Sequence, residues 1–485
     1  MKVSLFAGVS LFVFVPCLFA QILGKHSFLL DGEPLPGLAS NSITDVHVHR
    51  ESVWLGTGNG LSRTRDEGQT FESFTREHGL GKGGVSGLAV SDNIIWVATG
   101  FDTITEFGSF QAGGGLAYSL DDGVSWLTVP QPIEPVGTNV NNITFDIALR
   151  GDEVWITSFA GSLQRSSDRG QSWELIPPDS FLFDVGRISL NHRAFAVIVI
   201  DSVLWVGTAE GINRSTDGGE TWTQFTHRNQ EEPISGNFVV GFGYQKYANN
   251  EILWAATRET TSETNDTTEF RGVSWTGDQG FSWKTALRGA NCHNIAFDDS
   301  IVYVASDFGL FKSDDGGETW ALFSDISNPD NSRRIYGDAA FDAGVTESGN
   351  LMIGTENGLA ITNSNGRFWT IQQVFSETGQ DGEGRTYAYP NPFSPGVHNR
   401  LGGVGHVRFQ YNTINDTEVT LKVYDFSMRL VATVAEGQFR LGNGDFYEVW
   451  DGLDGYGERV ANGVYFYELT LSGDGKYWGK LVVMN

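Results

Sequence analysis

An eight-residue phrase constrains this chain more than any other feature. It is written "TRDEGQTF" at residues 64–71, "STDGGETW" at 215–222 and "SDDGGETW" at 313–320. Aligned on its last ring it occurs seven times, ending at Phe71, Trp126, Trp173, Trp222, Trp283, Trp320 and Trp369. Every copy has Gly three residues before the ring. Six have Asp five residues before it (Asp66, Asp121, Asp168, Asp217, Asp278 and Asp315), each with Ser or Thr two residues earlier. The seventh, "TNSNGRFW", places Ser364 in the Asp slot and Phe368 in the Ser/Thr slot before the ring. Recurrence at this spacing marks a repeat architecture, in which one unit cannot bury its own faces and must stack on its neighbours.

The stretch upstream of each phrase repeats as well. "VWLGTGNGL" (53–61), "LWVGTAEGI" (204–212), "VYVASDFGL" (302–310) and "LMIGTENGL" (351–359) share one plan: a β-rich run, a turn closed by Gly, and a second β-rich run into the polar turn. A further run precedes each, such as "ITDVHVH", and a fourth follows the ring, such as "TWTQFT". Four short strands per unit at a period of about 48 residues describe a propeller blade, and seven blades set radially bury each other's faces. The expectation is an all-β protein with a seven-bladed β-propeller over residues 43–375, after a lead-in at 21–42.

The eight-residue turns resemble the Asp-box, or neuraminidase-type (BNR) repeat, and the "WLGT…NGL" phrases resemble the repeats of periplasmic sensor propellers. The resemblance implies that the Asp-boxes are structural and lie away from any active site. The residues themselves carry the same reading. Asp carboxylates and Ser/Thr hydroxyls can satisfy backbone groups across a turn, Gly permits positive φ, and the ring fills the space between sheets. Calcium would need more oxygen ligands than one Asp and one Ser supply.

Asp-box turns join third to fourth strands and so mark one rim. The variable segments belong to the other: 100–113 and 258–271 between second and third strands, and the crossings 74–85, 129–141, 176–192 and 226–237. Insertions gathered on one face of a repeat protein mark a binding face. Candidate ligand-binding residues there are Phe101, Phe107, Phe110, Phe181 and Phe183, which could stack on sugars or meet a protein, and Glu259 and Asp266 in the acidic, Thr-rich insertion.

No catalytic residues are assigned. The early Arg-Ile-Pro of sialidases is missing; Arg187-Ile188 stands mid-chain without Pro. Xyloglucanase-like enzymes of this repeat class pair two propellers around a cleft, and one propeller is read here. No metal or cofactor is assigned either. His47 and His49 alternate on a first strand without further ligands at metal spacing, and Cys292 beside His293 opens an inner strand as a small buried residue. Acidic residues are numerous enough for two carboxylates to meet on the variable rim at glycosidase separation.

The ends of the chain speak to location. Lys2 followed by the apolar run Val3 to Ala20 is read as a secretory signal, residues 1–20, with cleavage after Ala20. Its removal takes Cys17 and leaves Cys292 alone, so no intramolecular disulfide forms. No later segment is long enough to span a bilayer. A net charge of −27 argues against nucleic-acid binding. Residues 376–387 read as a Gly-rich linker. Residues 388–485 then alternate in the manner of a β-sandwich.

The order "YPNPF … VTLKVYD … WDG-D-G … VANGVYFYEL … KLVV" resembles the immunoglobulin-like domain of flagellar hook-capping proteins and the C-terminal sorting domains of type IX secretion. The resemblance implies an immunoglobulin-like C-terminal domain used for sorting or attachment. Gly463, Tyr465, Lys480 and Val482 would be read by outer-membrane secretion machinery. Together these readings describe a secreted or cell-surface binding propeller for an extracellular glycan or protein. The competing readings are an extracellular glycoside hydrolase or lyase, and an assembly factor of the photosystem type.

Overall fold

The computed structural model describes residues 34–485, apart from 92–93, 135, 177–189, 260–268, 331, 377 and 379–384. Among the described residues, seven antiparallel sheets follow one another, each containing four consecutive strands in sequential order. Blade 4 shows the plan: Ala194–Ile200, Val203–Thr208, Gly211–Ser215 and Thr223–Phe225. The second strand of each blade is an apolar run, such as "VLWVGT", because sheets cover both of its faces. Blade 1 has a fifth strand: Leu35–Pro36 in the lead-in pairs with the outermost strand, Glu72–Phe74.

The recurrent turns fasten blade to blade. In blade 4, the Ser215 hydroxyl donates to Asp217 Oδ1 (2.7 Å) and accepts from the Gly219 N–H (2.8 Å). Asp217 also accepts from the Thr221 N–H (2.9 Å) and from the Thr221 hydroxyl. The same four bonds recur at Asp66, Asp121, Asp168, Asp278 and Asp315. Thr221 and Thr319 lead the donors that hold Asp217 and Asp315 down at about 2. In the seventh copy, Ser364 Oγ accepts the Phe368 N–H (2.9 Å) in place of a carboxylate.

The ring at the end of each turn packs on the preceding blade. Trp126 meets Trp54 edge-on at 6.4 Å, Trp283 meets Phe225 at 6.2 Å, and Trp320 meets Trp254 at 6.5 Å. Trp173 joins a cluster with Trp96, and Trp222 one with Trp155. Phe71 of blade 1 packs in one cluster with Met352 and Ile361 of blade 7, which carries the same fastening between the first and last blades. The turn Gly is doubly constrained. Gly317 has φ +97°, and a Cβ there would lie 2.9–3.0 Å from the rings of Trp254 and Trp275.

The second unit is a two-sheet sandwich. Thr386–Tyr389, Val407–Thr413 and Gly444–Trp450 form one sheet; Leu430–Arg440, Thr417–Tyr424, Gly463–Leu471 and Gly475–Val483 form the other. Its core includes Phe393, Phe409, Tyr411, Leu421 and Tyr467. The first strand begins at Thr386, inside the segment read as linker and ahead of residue 388. Its "TYAY" pairs with Val407–Thr413 and is thereby drawn into the sheet. The sandwich docks on the propeller through the crossing between blades 6 and 7. Tyr447 Oη accepts the Arg334 N–H (3.0 Å), Asp338 accepts the Gly402 N–H (2.7 Å), and Tyr336 packs on His406 at 5.0 Å.

Candidate functional site

The working geometry starts from one local irregularity. In every blade the register of the first strand shifts just inside its start, leaving a bulged residue. These residues are Thr44, Ser86, Phe145, Phe195, Val240, His293 and Phe341. A bulge re-aims a side chain out of the regular alternation. All seven line two adjoining cavities on the rim opposite the polar turns, at the mouth of the central channel.

Over blades 3–5 the mouth is aromatic. Phe195 lies 5.0 Å from Phe145, 4.8 Å from Phe238 and 6.2 Å from Phe159, centroid to centroid. These half-buried rings line a cavity of about 530 Å³ with Phe110, Gln111 and Arg258. Arg193 lies 4.6 Å above Phe159. Toward blades 1, 2 and 6 the adjoining cavity is polar, with Thr44, Asp102, His293 and Asn294 among its walls. His293 Nε2 and Asp307 are 2.8 Å apart, and that contact leads the causes that hold Asp307 at about 2.

Beneath the mouth lies the channel, whose cavity measures about 720 Å³ and is lined by the inner strands of all seven blades; in blades 1, 3, 6 and 7 the residue after the bulge faces it. In blades 1, 3 and 7 that residue is Asp45, Asp146 or Asp342. Asp146 accepts the Ile147 N–H of its own blade and the Val197 N–H of the next, both at 2.8 Å. Asp342 does the same with Ala343 and with Val46 of blade 1. Asp146 and Asp342 therefore each tie one inner strand to its neighbour. Burial pushes Asp45 up to about 6 and Asp146 up to about 7. It raises Asp342 too, with Asp45 adding repulsion. Burial also pushes His47, in the same channel, down to about 4.

The residues expected from the sequence fall in several places. Residues 100–113 are not a loop: Ile94–Thr105 and Gly108–Ser119 continue as one long hairpin, because Thr103, Ile104 and Thr105 extend the β alternation up to a tight turn. Phe110 of that hairpin joins the aromatic cavity. Phe101 lines the polar cavity, with the Lys82 ammonium 3.7 Å over its ring. Phe107 stands exposed at the hairpin tip, away from both cavities. Glu259 pairs with Arg271, and its backbone N–H donates to Asn291 (2.8 Å). Phe181, Phe183, Arg187 and Asp266 lie outside the described residues.

Cys292 is buried, with its thiol pushed up to about 12 by desolvation. Gly463, Tyr465, Lys480 and Val482 lie together on the last two strands of the sandwich, where Gly463 pairs with Val483 and Tyr465 with Leu481.

Phe145, Phe159, Phe195, Phe238 and Phe341 escaped the sequence reading. They sit within or beside strand-like runs such as "TFDIAL" and "RAFAVIV", where an aromatic reads as core. Aligning the first strands as "ITDV", "TFDI", "AFAV" and "AFDA" exposes the shared second position that carries the bulge.

No family model and no curated protein matches the chain. Solved structures do. An ancestral GH74 enzyme is 16% identical with a TM-score of 0.51, covering 93% of this chain and 63% of that one. The GH74 xyloglucanase from Xanthomonas campestris is 13% identical with a TM-score of 0.50, covering 92% and 67%. PorZ, described as a surface component of the type-IX secretion system of Porphyromonas gingivalis, is 16% identical with a TM-score of 0.39, covering 92% and 66%. The chain thus spans about two thirds of the length of each of these proteins. At such identities the likeness is one of architecture, and that architecture is the β-propeller.

Proposed function

We propose that the chain is a secreted or cell-surface binding protein whose propeller takes an extracellular glycan or protein segment on the rim opposite the Asp-box turns. One observation carries the reading: the bulged residues of all seven blades converge on that rim, and those of blades 3 and 4 join Phe159 and Phe238 in an open aromatic face. Exposed ring faces gain from stacking on the C–H side of a sugar or on an apolar side chain, and Arg258 supplies a directed donor. In this reading the Asp-box turns are structural. Residues 1–20 direct export, and 388–485, immunoglobulin-like by resemblance, engage outer-membrane secretion machinery.

The test is a screen of the full mature chain on glycan and protein arrays, repeated with Phe195→Ala. Retention of the strongest signals in the variant would overturn the reading. For export, deletion of 388–485 is expected to strand the protein in the periplasm, and normal surface delivery would contradict that role.

A glycoside hydrolase reading has one observation in its favour. Asp45 and Asp146 line the same mouth cavity, and both are raised into the range a general acid needs. Against it, both oxygens of Asp146 already accept backbone N–H groups. Hydrolysis of any array-positive glycan by the wild type, lost in Asp146→Asn, would decide for catalysis.

A further inference from the structure

A further cavity, of about 550 Å³, lies where the sandwich meets the rims of blades 1 and 7. Its sandwich wall is the outer face of Val407–Thr413. Val407, Phe409 and Tyr411 of that strand enter the sandwich core, so Arg408 and Gln410 face the propeller. Both are almost fully buried, at 4% and 2% exposure. Nη1 of Arg408 and both amide atoms of Gln410 have no hydrogen-bond partner among the described residues. The rings of Tyr389, Phe375 and Tyr447 surround the guanidinium at 5.7–5.8 Å.

Burying a guanidinium without an anion is expensive. Cation–π contacts offset part of that cost, and they leave Nη1 unbonded. Natural proteins seldom leave three such atoms on one wall of a cavity unsatisfied.

We propose that this cavity binds a carboxylate. The planar fork of Arg408 matches a carboxylate bidentately, the Gln410 amide can donate beside it, and Tyr387, Tyr389 and Phe375 offer apolar walls to the body of the ligand. A singly charged carboxylate suits the Arg408 fork, whereas a phosphate dianion would set two negative charges beside Glu356, which lines the same cavity with Asp338 as well as Arg400 near it. The ligand class is a ring-bearing monocarboxylate, either a sugar acid or an aromatic acid. Its seat spans both units, so occupancy would stiffen their junction.

Titration calorimetry on the full mature chain tests this with glucuronate and benzoate as separate probes, against glucose and inorganic phosphate. Saturable binding of either acid is expected, with glucose silent, and the stronger probe tells sugar acid from aromatic acid. Arg408→Lys keeps the charge without the fork and should weaken binding at least about tenfold. Ser364→Asp in the seventh polar turn should not change it. Should Arg408→Lys fold poorly, Gln410→Leu gives the same readout through the neighbouring donor. The proposal is overturned if neither acid binds at millimolar concentration, if phosphate binds and the acids do not, or if folded Arg408→Lys and Gln410→Leu both bind like the wild type.

Discussion

The two rims of the propeller use aspartate in opposite ways. On the turn rim, Asp66, Asp121, Asp168, Asp217, Asp278 and Asp315 stay largely in water, and hydrogen bonds from hydroxyl and backbone donors lower them all. Toward the channel, Asp45, Asp146 and Asp342 are enclosed by protein, and burial raises all three although Asp146 and Asp342 accept two backbone bonds each. The first set closes turns within single blades, leaving the adjacent ring to grip the preceding blade. Asp146 and Asp342 themselves tie one blade to the next. Hydrogen bonding dominates where solvent already supports the charge; desolvation dominates where it does not.

The contrast can be tested by substitution, starting with the ring. Trp126→Ala removes a fully buried indole wedged between blades 1 and 2 and should cost about 3–5 kcal/mol, read as a fall in the urea midpoint. A loss below about 1 kcal/mol would mean that the rings do not fasten the blades. Asp146→Ala should cost less, about 1–3 kcal/mol, because it leaves the Val197 and Ile147 N–H groups without their acceptor.

The pH dependence separates the two sets by sign. Asp45 and Asp146 have raised folded values, so their contribution is full below the ordinary carboxylate range and is lost as pH rises toward about 6 and 7. Asp217 and Asp315 have lowered values, so theirs is full above the ordinary range and is lost as pH falls toward about 2. Asp146→Asn should flatten the loss on the neutral side, and Asp217→Asn the loss on the acid side. Interchanged effects would refute the assignment. The smallest effect belongs to Ser364→Asp, which restores a carboxylate to the seventh turn and should stabilise by roughly 0.5 kcal/mol.

Much of the fold was legible because its signals are local. The turn phrase names its own hydrogen bonds: Ser215, Asp217, Gly219 and Thr221 stand in the sequence at the spacing that the bonds require. Segment length pointed to the opposite rim, but 100–113 continues as a hairpin, and 177–189 and 260–268 lie outside the described residues. The aromatic face was not legible, because it depends on a register shift. Phe195 reads as one more strand residue until the shift beside Ala196 turns it toward the rim. Arg408 was hidden in the same way: "HVRFQYN" alternates as a half-exposed strand should, yet the propeller covers its polar face. The lead-in strand Leu35–Pro36 was illegible because two residues carry no periodicity.

The central claim is that the rim built on bulged first strands binds and the rim built on polar turns only holds the ring together. The direct measurement takes whichever array ligand binds the wild type and compares its affinity for Phe195→Ala and Asp217→Ala, both confirmed folded by circular dichroism. The account predicts a loss of at least about tenfold for Phe195→Ala and no change for Asp217→Ala. Loss of binding in Asp217→Ala with Phe195→Ala unaffected would contradict it.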